Sequence, residues 1–323
     1  MSQLIWIIDD EWPDYEIEKE VFKQSLAGYE IRYSTPQTFR RDLEAFGRRA
    51  DAILCQISVP IDRDVIDRLE NCRILSNYGT GYNNIDVQAA REKGIPVGYI
   101  PGYCAEDIAD YVAAVLCAVG KPLLGYDAAV AAGQWGAQVM RAPAHRLCTA
   151  TLFVVGLGRI GTAVAKRARA LGVTVLAWGR SLTESRAAAC GAQMVSLEEG
   201  LARADFVSLH IQYCAQTERF FDAACFQKMK PQAWLINTAR GGVVDQAALL
   251  EAVRAGRIGG AFLDVLAQEP PEPEDPVLHC ANIHVTPHIS YYSEEALRQL
   301  QRRAAENAAR VLCGQGGADI VPV

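Results

Sequence analysis

The sequence lacks the paired cysteine and histidine spacings that zinc sites and disulfide frameworks require. Ten cysteines are scattered along the 323 residues, and no C-x-x-C occurs among them. Cysteines distributed in this way act as small buried hydrophobic residues in a reducing compartment. We therefore expect a cytoplasmic protein without a metal centre.

Long apolar runs and an excess of positive charge are also lacking. No stretch reaches the length needed to span a membrane, and the N-terminus has neither the basic segment nor the cleavage site of a signal peptide. With 38 acidic and 32 basic residues, the formal net charge is −6. This acidic balance argues against a general surface for nucleic acid, so we expect neither a membrane nor a nucleic-acid partner.

Residues 151–181 carry the strongest positive signal. An apolar run at 152–155 is followed by Gly156, Gly158 and Gly161 in the spacing G-x-G-x-x-G, then by an amphipathic helix and a second apolar strand. In such a unit the first glycine allows a tight turn, the second lets the backbone approach a pyrophosphate, and the third lets the helix pack on the strand. The context predicts a dinucleotide site, with the pyrophosphate at the helix N-terminus.

A carboxylate that would bind a free ribose 2′-hydroxyl is missing from this unit, because no Asp or Glu lies between Gly161 and Glu184. The second strand ends instead at Gly179, Arg180 and Ser181. A guanidinium pairs bidentately with phosphate oxygens, which favours NADP over NAD. The alternative is that Arg180 is a solvated loop residue and that cofactor selectivity is lax.

The rest of the chain predicts two α/β domains, each with a doubly wound parallel sheet. Residues 1–101 alternate strands and helices but contain no glycine motif of their own. The nucleotide (Rossmann) domain, residues 102–289, would be inserted into a flavodoxin-like substrate domain formed by residues 1–101 and 290–323. The cleft between the domains would hold the substrate.

Three polar residues follow predicted strands, at the rim where ligands of α/β proteins bind: Arg240, Glu269 and His288. Taken singly, each is as well explained as a surface or packed residue. Together they suit the reduction of a 2-oxo acid by hydride. The arginine would grip a carboxylate, the histidine would move a proton near neutral pH, and the glutamate would orient the histidine ring.

Several ordered motifs resemble those of the D-isomer-specific 2-hydroxyacid dehydrogenases over nearly the whole chain; they lie at residues 78–86, 94–97, 156–161, 237–245, 263–270 and 286–288. The resemblance implies that Arg240, Glu269 and His288 are the catalytic set. It implies cofactor contacts at Arg159, Ile160, His210, Thr238 and Asp264, of which Asp264 would hold the nicotinamide carboxamide. It also implies that the substrate carboxylate binds backbone N–H groups of a glycine loop formed by Tyr78, Gly79, Thr80 and Gly81. The family is usually dimeric through the region after residue 102.

Two branches of this family share features with the chain. Residues 97–99 and 179–181 look like the NADP-dependent glyoxylate/hydroxypyruvate reductases, whereas residues 103–107 and 288–293 look more like the C-terminal-binding-protein-like branch. In that branch the position of Tyr291 carries an aromatic residue that lines the substrate pocket, and an arginine stands at the position of Asn77. Because Asn77 is uncharged, a second cationic anchor for the substrate is in question. No regulatory domain follows Val323, which disfavours a feedback-regulated phosphoglycerate dehydrogenase.

We therefore expect an NAD(P)-dependent oxidoreductase that acts on a small 2-oxo acid or D-2-hydroxy acid, with NADP preferred. The alternative is a dinucleotide-sensing scaffold of the C-terminal-binding-protein type without significant turnover. The Arg240, Glu269 and His288 set argues against the scaffold, because a sensor needs no proton relay.

Overall fold

The computed structural model describes residues 2–139 and 146–322 of the chain. Two compact units are present, one formed by residues 1–103 with 293–323 and the other by residues 104–292. The borders therefore fall at 103/104 and 292/293, where the sequence suggested 101/102 and 289/290. The middle of the chain is inserted into the first unit, so that residues far apart in sequence share one core.

The first unit contains a parallel sheet with strand order β2-β1-β3-β4-β5. Its strands are β1 (Gln3–Ile8), β2 (Tyr29–Ser34), β3 (Ala52–Gln56), β4 (Ile74–Tyr78) and β5 (Val97–Gly98). Its first helices are α1 (Glu16–Ser25), α2 (Phe39–Ala45), α3 (Arg63–Arg68) and α4 (Val87–Glu92), and a 3-10 turn spans Gly47–Arg49. Both β3 and β4 are buried along their whole length, as expected for central parallel strands.

The edge strand β2 and the helix α2 were not predicted from the sequence. In β2 only Ser34 is buried, and Glu30 and Arg32 form an ion pair at 2.7 Å on the exposed side. The continuous apolar run of a buried parallel strand is therefore missing from β2, and the sequence pattern there does not indicate a strand.

The second unit contains a seven-stranded parallel sheet with strand order β12-β11-β10-β9-β6-β7-β8. Its elements are α5 (Ala105–Gly120), α6 (Leu123–Ala131), β6 (Thr151–Val155), α7 (Arg159–Ala170), β7 (Thr174–Trp178), α8 (Glu184–Ala189), β8 (Gln193–Met194), α9 (Leu197–Arg203), β9 (Phe206–Leu209), α10 (Ala223–Lys228), β10 (Trp234–Asn237), α11 (Gln246–Arg254), β11 (Gly260–Leu263) and β12 (Ile283–Val285), with 3-10 turns at Gly136–Val139, Leu147–Thr149 and Gly241–Val243. After β6 the chain adds β7 and β8 on one side of the sheet, and it then returns to place β9, β10, β11 and β12 on the other side. This reversal makes the carboxyl ends of β6 and β9 the ligand-binding edge of the sheet.

The last helix, α12 (Glu294–Leu312), belongs to the first unit, as the sequence predicted. Its N-cap is Ser293, whose hydroxyl accepts a hydrogen bond from the backbone of Ala296 at 3.0 Å. The Ser76 hydroxyl of β4 donates to the carbonyl of Ala304 at 2.9 Å, and Arg73 donates to the last carbonyl groups of the helix. The C-terminal segment thus covers one face of the first sheet.

The three glycines of the βαβ turn have distinct environments. Gly156 has a φ of +100°, a conformation that favours glycine. A Cβ on Gly161 would overlap the carbonyl oxygen of Gly156, so the helix can pack on the turn only without a side chain there. A Cβ on Gly158, the N-cap of α7, would have no heavy atom within 4 Å. The space beside Gly158 is therefore open.

In the part of the chain that the structure describes, no single helix is long and apolar enough to cross a membrane. One bent helix pair, α5 followed by residues 125–131 of α6, meets that test by length and composition alone.

The glycine environments predict different effects on stability for two matched substitutions. Gly161→Ala forces helix α7 away from the turn and should lower the free energy of unfolding by about 1–3 kcal/mol, the usual cost of overpacking. Gly158→Ala, at a φ of −79°, should change it by less than about 1 kcal/mol. Urea unfolding followed by circular dichroism measures both, and equal destabilisation by the two variants would contradict this packing.

Candidate active site

The carboxyl ends of β6 and β9 carry Gly156 and His210. The His210 backbone N–H donates to the carbonyl of Val155 at 2.8 Å, and its Nε2 atom lies 2.8 Å from the Ser208 hydroxyl. Burial lowers the pKa of His210 to about 3, so the ring is neutral at physiological pH. The switch point of the sheet therefore presents a glycine turn and an uncharged imidazole.

Thr238, directly after β10, adds a polar group to the same edge of the sheet. The residue is 8% exposed, and its Oγ1 atom is buried without a hydrogen-bond partner in the described part of the chain. Buried hydroxyl groups are rarely left unpaired in proteins. Together with the open space beside Gly158 and the free N–H groups at the start of α7, which include those of Arg159 and Ile160, this hydroxyl suits a bound dinucleotide.

The end of β7 provides the cationic group that the sequence indicated. Gly179 is partly buried, while Arg180 and Ser181 are exposed, and Arg180 makes no hydrogen bond or ion pair with the residues described. A second cation was missed from the sequence: Arg186, on α8, donates to the carbonyl of Leu157 within the glycine turn at 3.2 Å. Arg186 reaches the turn because α8 packs beside it, which the local sequence does not indicate.

Glu269 and His288 form a direct pair, although 19 residues separate them in sequence. The Glu269 Oε2 atom lies 2.7 Å from His288 Nδ1, and its Oε1 atom accepts from the backbone of Leu266 at 2.8 Å. Burial raises the pKa of Glu269, but the hydrogen bond and charge of His288, with a contribution from Arg240, outweigh burial and hold that pKa below its usual value. The pair is a carboxylate that orients an imidazole, with Nε2 as the remaining ring nitrogen.

His288 adopts a backbone conformation that is uncommon outside glycine, with a φ of +53°. Its N–H donates to the carbonyl of Asp264 at 2.9 Å. The Asp264 carboxylate, 1% exposed, accepts from the Thr286 hydroxyl at 2.7 Å and from the N–H groups of Ile289 and Ser290 at 2.8 and 2.9 Å. These bonds fix the loop on both sides of His288.

The hydrogen bonds to the Asp264 carboxylate concern the contact with a nicotinamide carboxamide that was expected for this residue. Both carboxylate oxygens already accept hydrogen bonds from the 286–290 loop, and Thr286 is bonded in turn to the Tyr111 hydroxyl of α5 at 2.7 Å. In this structure Asp264 therefore organises the histidine loop. The contact with a nicotinamide carboxamide that the sequence suggested stays a prediction.

Arg240 follows β10 and lies near the pair. Asn237 shapes its turn, because the Asn237 amide donates to the Arg240 carbonyl and accepts from the Ala239 backbone, each at 3.0 Å. A Cβ on Gly241 would overlap the backbone of Leu266, so the glycine lets this turn pack against the segment that bonds Glu269. Arg240 is partly buried, and its charge helps to lower the pKa of Glu269.

Tyr291 lies beside the histidine. Its ring lies edge-on to that of His288, with ring centroids 6.5 Å apart. The second unit therefore brings together four residues singled out from the sequence, with Tyr291 beside them: Arg240, Asp264, Glu269 and His288.

The glycine loop in the first unit is only partly available to an anion. Tyr78 is the last residue of β4 and is buried, and the Gly79 N–H is bonded to the carbonyl of Asn77 at 3.0 Å. Within the described ranges, the N–H groups of Thr80 and Gly81 have no partner. The expected set of four N–H donors is therefore too large, because two of them belong to the strand and its turn.

Asn77, the position that lacks the arginine of the second branch, has a structural role here. It is completely buried, and its amide donates to the carbonyl of Gly81 at 2.6 Å. Its Oδ1 atom accepts from Asn84 at 3.2 Å. The Asn77 amide thus holds the 78–81 loop through a hydrogen bond to its last residue, and the position carries no cation.

Comparison with known proteins agrees with this arrangement. A family model described as "D-isomer specific 2-hydroxyacid dehydrogenase, NAD binding domain" matches residues 113–290. A glyoxylate reductase of Korarchaeum cryptofilum is 38% identical over 259 residues, which are 80% of this chain and 78% of that protein. A D-3-phosphoglycerate dehydrogenase of Archaeoglobus fulgidus is 33% identical over 287 residues, which are 89% of this chain and 54% of that protein. The chain thus spans about half the length of that relative.

Solved structures share the fold over the full chain. The crystal structure of a glyoxylate reductase from Paecilomyes thermophila has a TM-score of 0.84 and 28% identity, and the match covers 99% of this chain and 98% of that one. The inserted dinucleotide-binding unit, the paired Glu269 and His288, and the extent of these matches lead to one conclusion. The chain belongs to the D-isomer-specific 2-hydroxyacid dehydrogenase family, whose cofactor is a nicotinamide dinucleotide.

Proposed function

We propose that the protein reduces a small 2-oxo acid, of the glyoxylate or hydroxypyruvate type, to the D-2-hydroxy acid. The observation that carries the proposal is the 2.7 Å pair of Glu269 and His288 within a family of hydroxyacid dehydrogenases. Relatives named glyoxylate reductase support the small substrate. A scaffold without turnover would have no use for such a pair.

Each residue of the set has a defined task. The nicotinamide, when bound, supplies the hydride. His288 uses Nδ1 to bind Glu269, so Nε2 is the atom that gives its proton to the developing alkoxide. Glu269 stabilises the charged imidazole, because its low pKa keeps it ionised. Arg240 orients the oxo acid through its carboxylate. In the first unit, the N–H groups of Thr80 and Gly81, which have no partner among the described residues, form an anion site of their own.

This assignment predicts a selective loss of rate. His288→Ala and Arg240→Ala should each lower the kcat/KM for glyoxylate and hydroxypyruvate by about 100-fold or more, while cofactor still binds. His279→Ala, which removes a surface histidine bonded to Pro273, is the matched control and should change little. Initial rates of NADPH oxidation test the three variants, with pyruvate and a bulky branched 2-oxo acid as comparison substrates. Retained turnover in both active-site variants would refute the assignment, and turnover of the bulky acid alone would refute the small substrate.

We further propose NADP(H) as the preferred cofactor. Arg180 and Ser181 are exposed directly after β7, where a ribose 2′-substituent would lie, and Arg186 adds a second guanidinium close to the turn. Two cations here suit a 2′-phosphate, and because no Asp or Glu lies between Gly161 and Glu184, a 2′-hydroxyl would lack its usual acceptor directly after β7.

The cofactor proposal predicts that Arg180→Ala raises the KM for NADPH about tenfold or more, because the variant loses one charge-assisted hydrogen bond to the 2′-phosphate. The KM for NADH, which has no such phosphate, should stay nearly unchanged. Lys166→Ala removes an exposed positive charge from α7 and should affect neither KM. Steady-state rates with both cofactors provide the comparison. An equal rise of both KM values for Arg180→Ala would count against a phosphate contact.

We also propose that the protein is a homodimer, with helix α6 at the interface. Most of this helix is apolar, yet it is largely exposed, with Leu123 70% and Val130 48% exposed and Trp135, just beyond it, 77% exposed. Apolar side chains clustered at a surface mark an interaction site. A second copy of the chain is the partner that the family resemblance favours.

A charge in this patch should disrupt the dimer. Val130→Asp places a carboxylate in the apolar patch, where it would have to be desolvated, and should give a monomer by light scattering coupled to gel filtration. Met194→Asp, at an exposed apolar residue of β8, is the control and should leave the dimer intact. A monomeric parent protein, or a dimer that survives Val130→Asp, would refute this interface.

A further inference from the structure

Two buried carboxyl groups in the first unit lie near Tyr78, the residue that leads into the 80–81 loop. Asp9, directly after β1, is 4% exposed, and Glu18, on α1, is completely buried. Neither has a task in the chemistry described above. Tyr78, whose backbone leads into the loop, donates its hydroxyl to Glu18 Oε1 at 2.7 Å.

The two carboxyl groups differ in the hydrogen-bond donors that surround them. Asp9 accepts four hydrogen bonds, from the backbone of Glu11 and Trp12 at 3.0 Å, from the Tyr15 hydroxyl at 2.6 Å and from the Gln56 amide at 2.8 Å. Glu18 has the Tyr78 hydroxyl on one oxygen, while its Oε2 atom is buried without a partner in the described residues. Because hydrogen-bond donors favour the charged form of a carboxyl group, the poorer set of donors around Glu18 makes this group costly to charge.

The surroundings of Glu18 disfavour its charged form. Burial raises the pKa of Glu18 to about 7, and the Tyr78 hydroxyl, the Glu18 backbone and the Gln301 amide oppose that rise only in part. The titratable groups that face it are Asp9 after β1, Tyr15 ahead of α1, Tyr33 in β2 and Tyr78 in β4, and α12 contributes the neutral amide of Gln301. None of these groups is a cation, so nothing among them compensates a second negative charge.

We propose that Glu18 is a positioning residue that acts through Tyr78 and whose charge sets the affinity of the Thr80–Gly81 loop for the substrate carboxylate. The inference depends on the proposed reduction of a 2-oxo acid, because only an anionic substrate would sense it. With Glu18 neutral, the two free N–H groups of the loop offer an undiminished positive potential. With Glu18 ionised, a negative charge stands behind the same loop, one tyrosine side chain away.

The size of the effect follows from Coulomb's law. For two charges roughly 10 Å apart, an effective dielectric constant of about 20 gives a change in affinity of about tenfold. Substrate binding should therefore weaken as the pH rises through about 7, the pKa of Glu18. A merely structural role of Glu18 would give a constant effect at every pH.

The test is the dissociation constant of oxamate, an unreactive isostere of a 2-oxo acid, in the NADPH complex from pH 5.5 to 8.5. The quantity to follow is the ratio of this constant in the parent protein to that in Glu18→Gln, because any pH dependence that does not involve Glu18 is common to both and cancels. We expect the ratio to rise from its low-pH value by about tenfold, with a midpoint near pH 7. A ratio that stays constant with pH would overturn the inference.

Two further variants keep the test decisive. Tyr78→Phe removes the hydroxyl that donates to Glu18 Oε1 and should therefore move the midpoint of oxamate binding to higher pH. An unmoved midpoint would overturn the coupling even if Glu18→Gln fails to fold. Glu20→Gln, on the same helix but exposed and paired with Arg302, is the matched control and should follow the parent curve. Absence of turnover of every 2-oxo acid by the parent protein would refute the proposed function itself, whereas turnover with a flat ratio refutes only the role of Glu18.

Discussion

The buried carboxylate of Asp264 is the interaction on which the catalytic arrangement depends. A charge at 1% exposure is tolerable only where hydrogen bonds replace water, and the 286–290 loop provides them through Thr286, Ile289 and Ser290. The loop, in turn, holds His288 at a positive φ that this residue would not adopt unaided. The hydrogen bonds to the Asp264 carboxylate thus also stabilise the strained backbone that directs the His288 ring towards Glu269.

The second constraint is that backbone segments approach each other closely, both at the turn after β6 and at the turn after β10. Gly161 lets α7 reach the turn after β6, and Gly241 lets the Arg240 turn reach the backbone of Leu266. Leu266 donates its N–H to Glu269, so the packing at Gly241 also supports the carboxylate that orients His288. Side chains at either glycine would separate segments whose backbone atoms have to touch.

Local features of this protein were predictable from sequence, whereas features made by distant residues were not. The G-x-G-x-x-G turn was predictable because strand, turn and helix are adjacent in the chain. Arg186 was missed because it reaches the turn only through the packing of α8. The number of free N–H groups at the 78–81 loop was overestimated, because a sequence motif does not reveal that Gly79 is already bonded to Asn77.

The carboxyl groups of this chain show how one functional group acquires different tasks from its surroundings. Asp9 accepts four hydrogen bonds, the pKa of Glu269 is lowered by an imidazole and a nearby guanidinium, and Glu18 is left with the Tyr78 hydroxyl and the nearby Gln301 amide. No sequence pattern distinguishes these three, because the partner of Glu18 lies 60 residues away and that of Glu269 lies 19 residues away. The donors that reach each oxygen decide whether it carries charge at neutral pH, and the fold alone determines which donors those are.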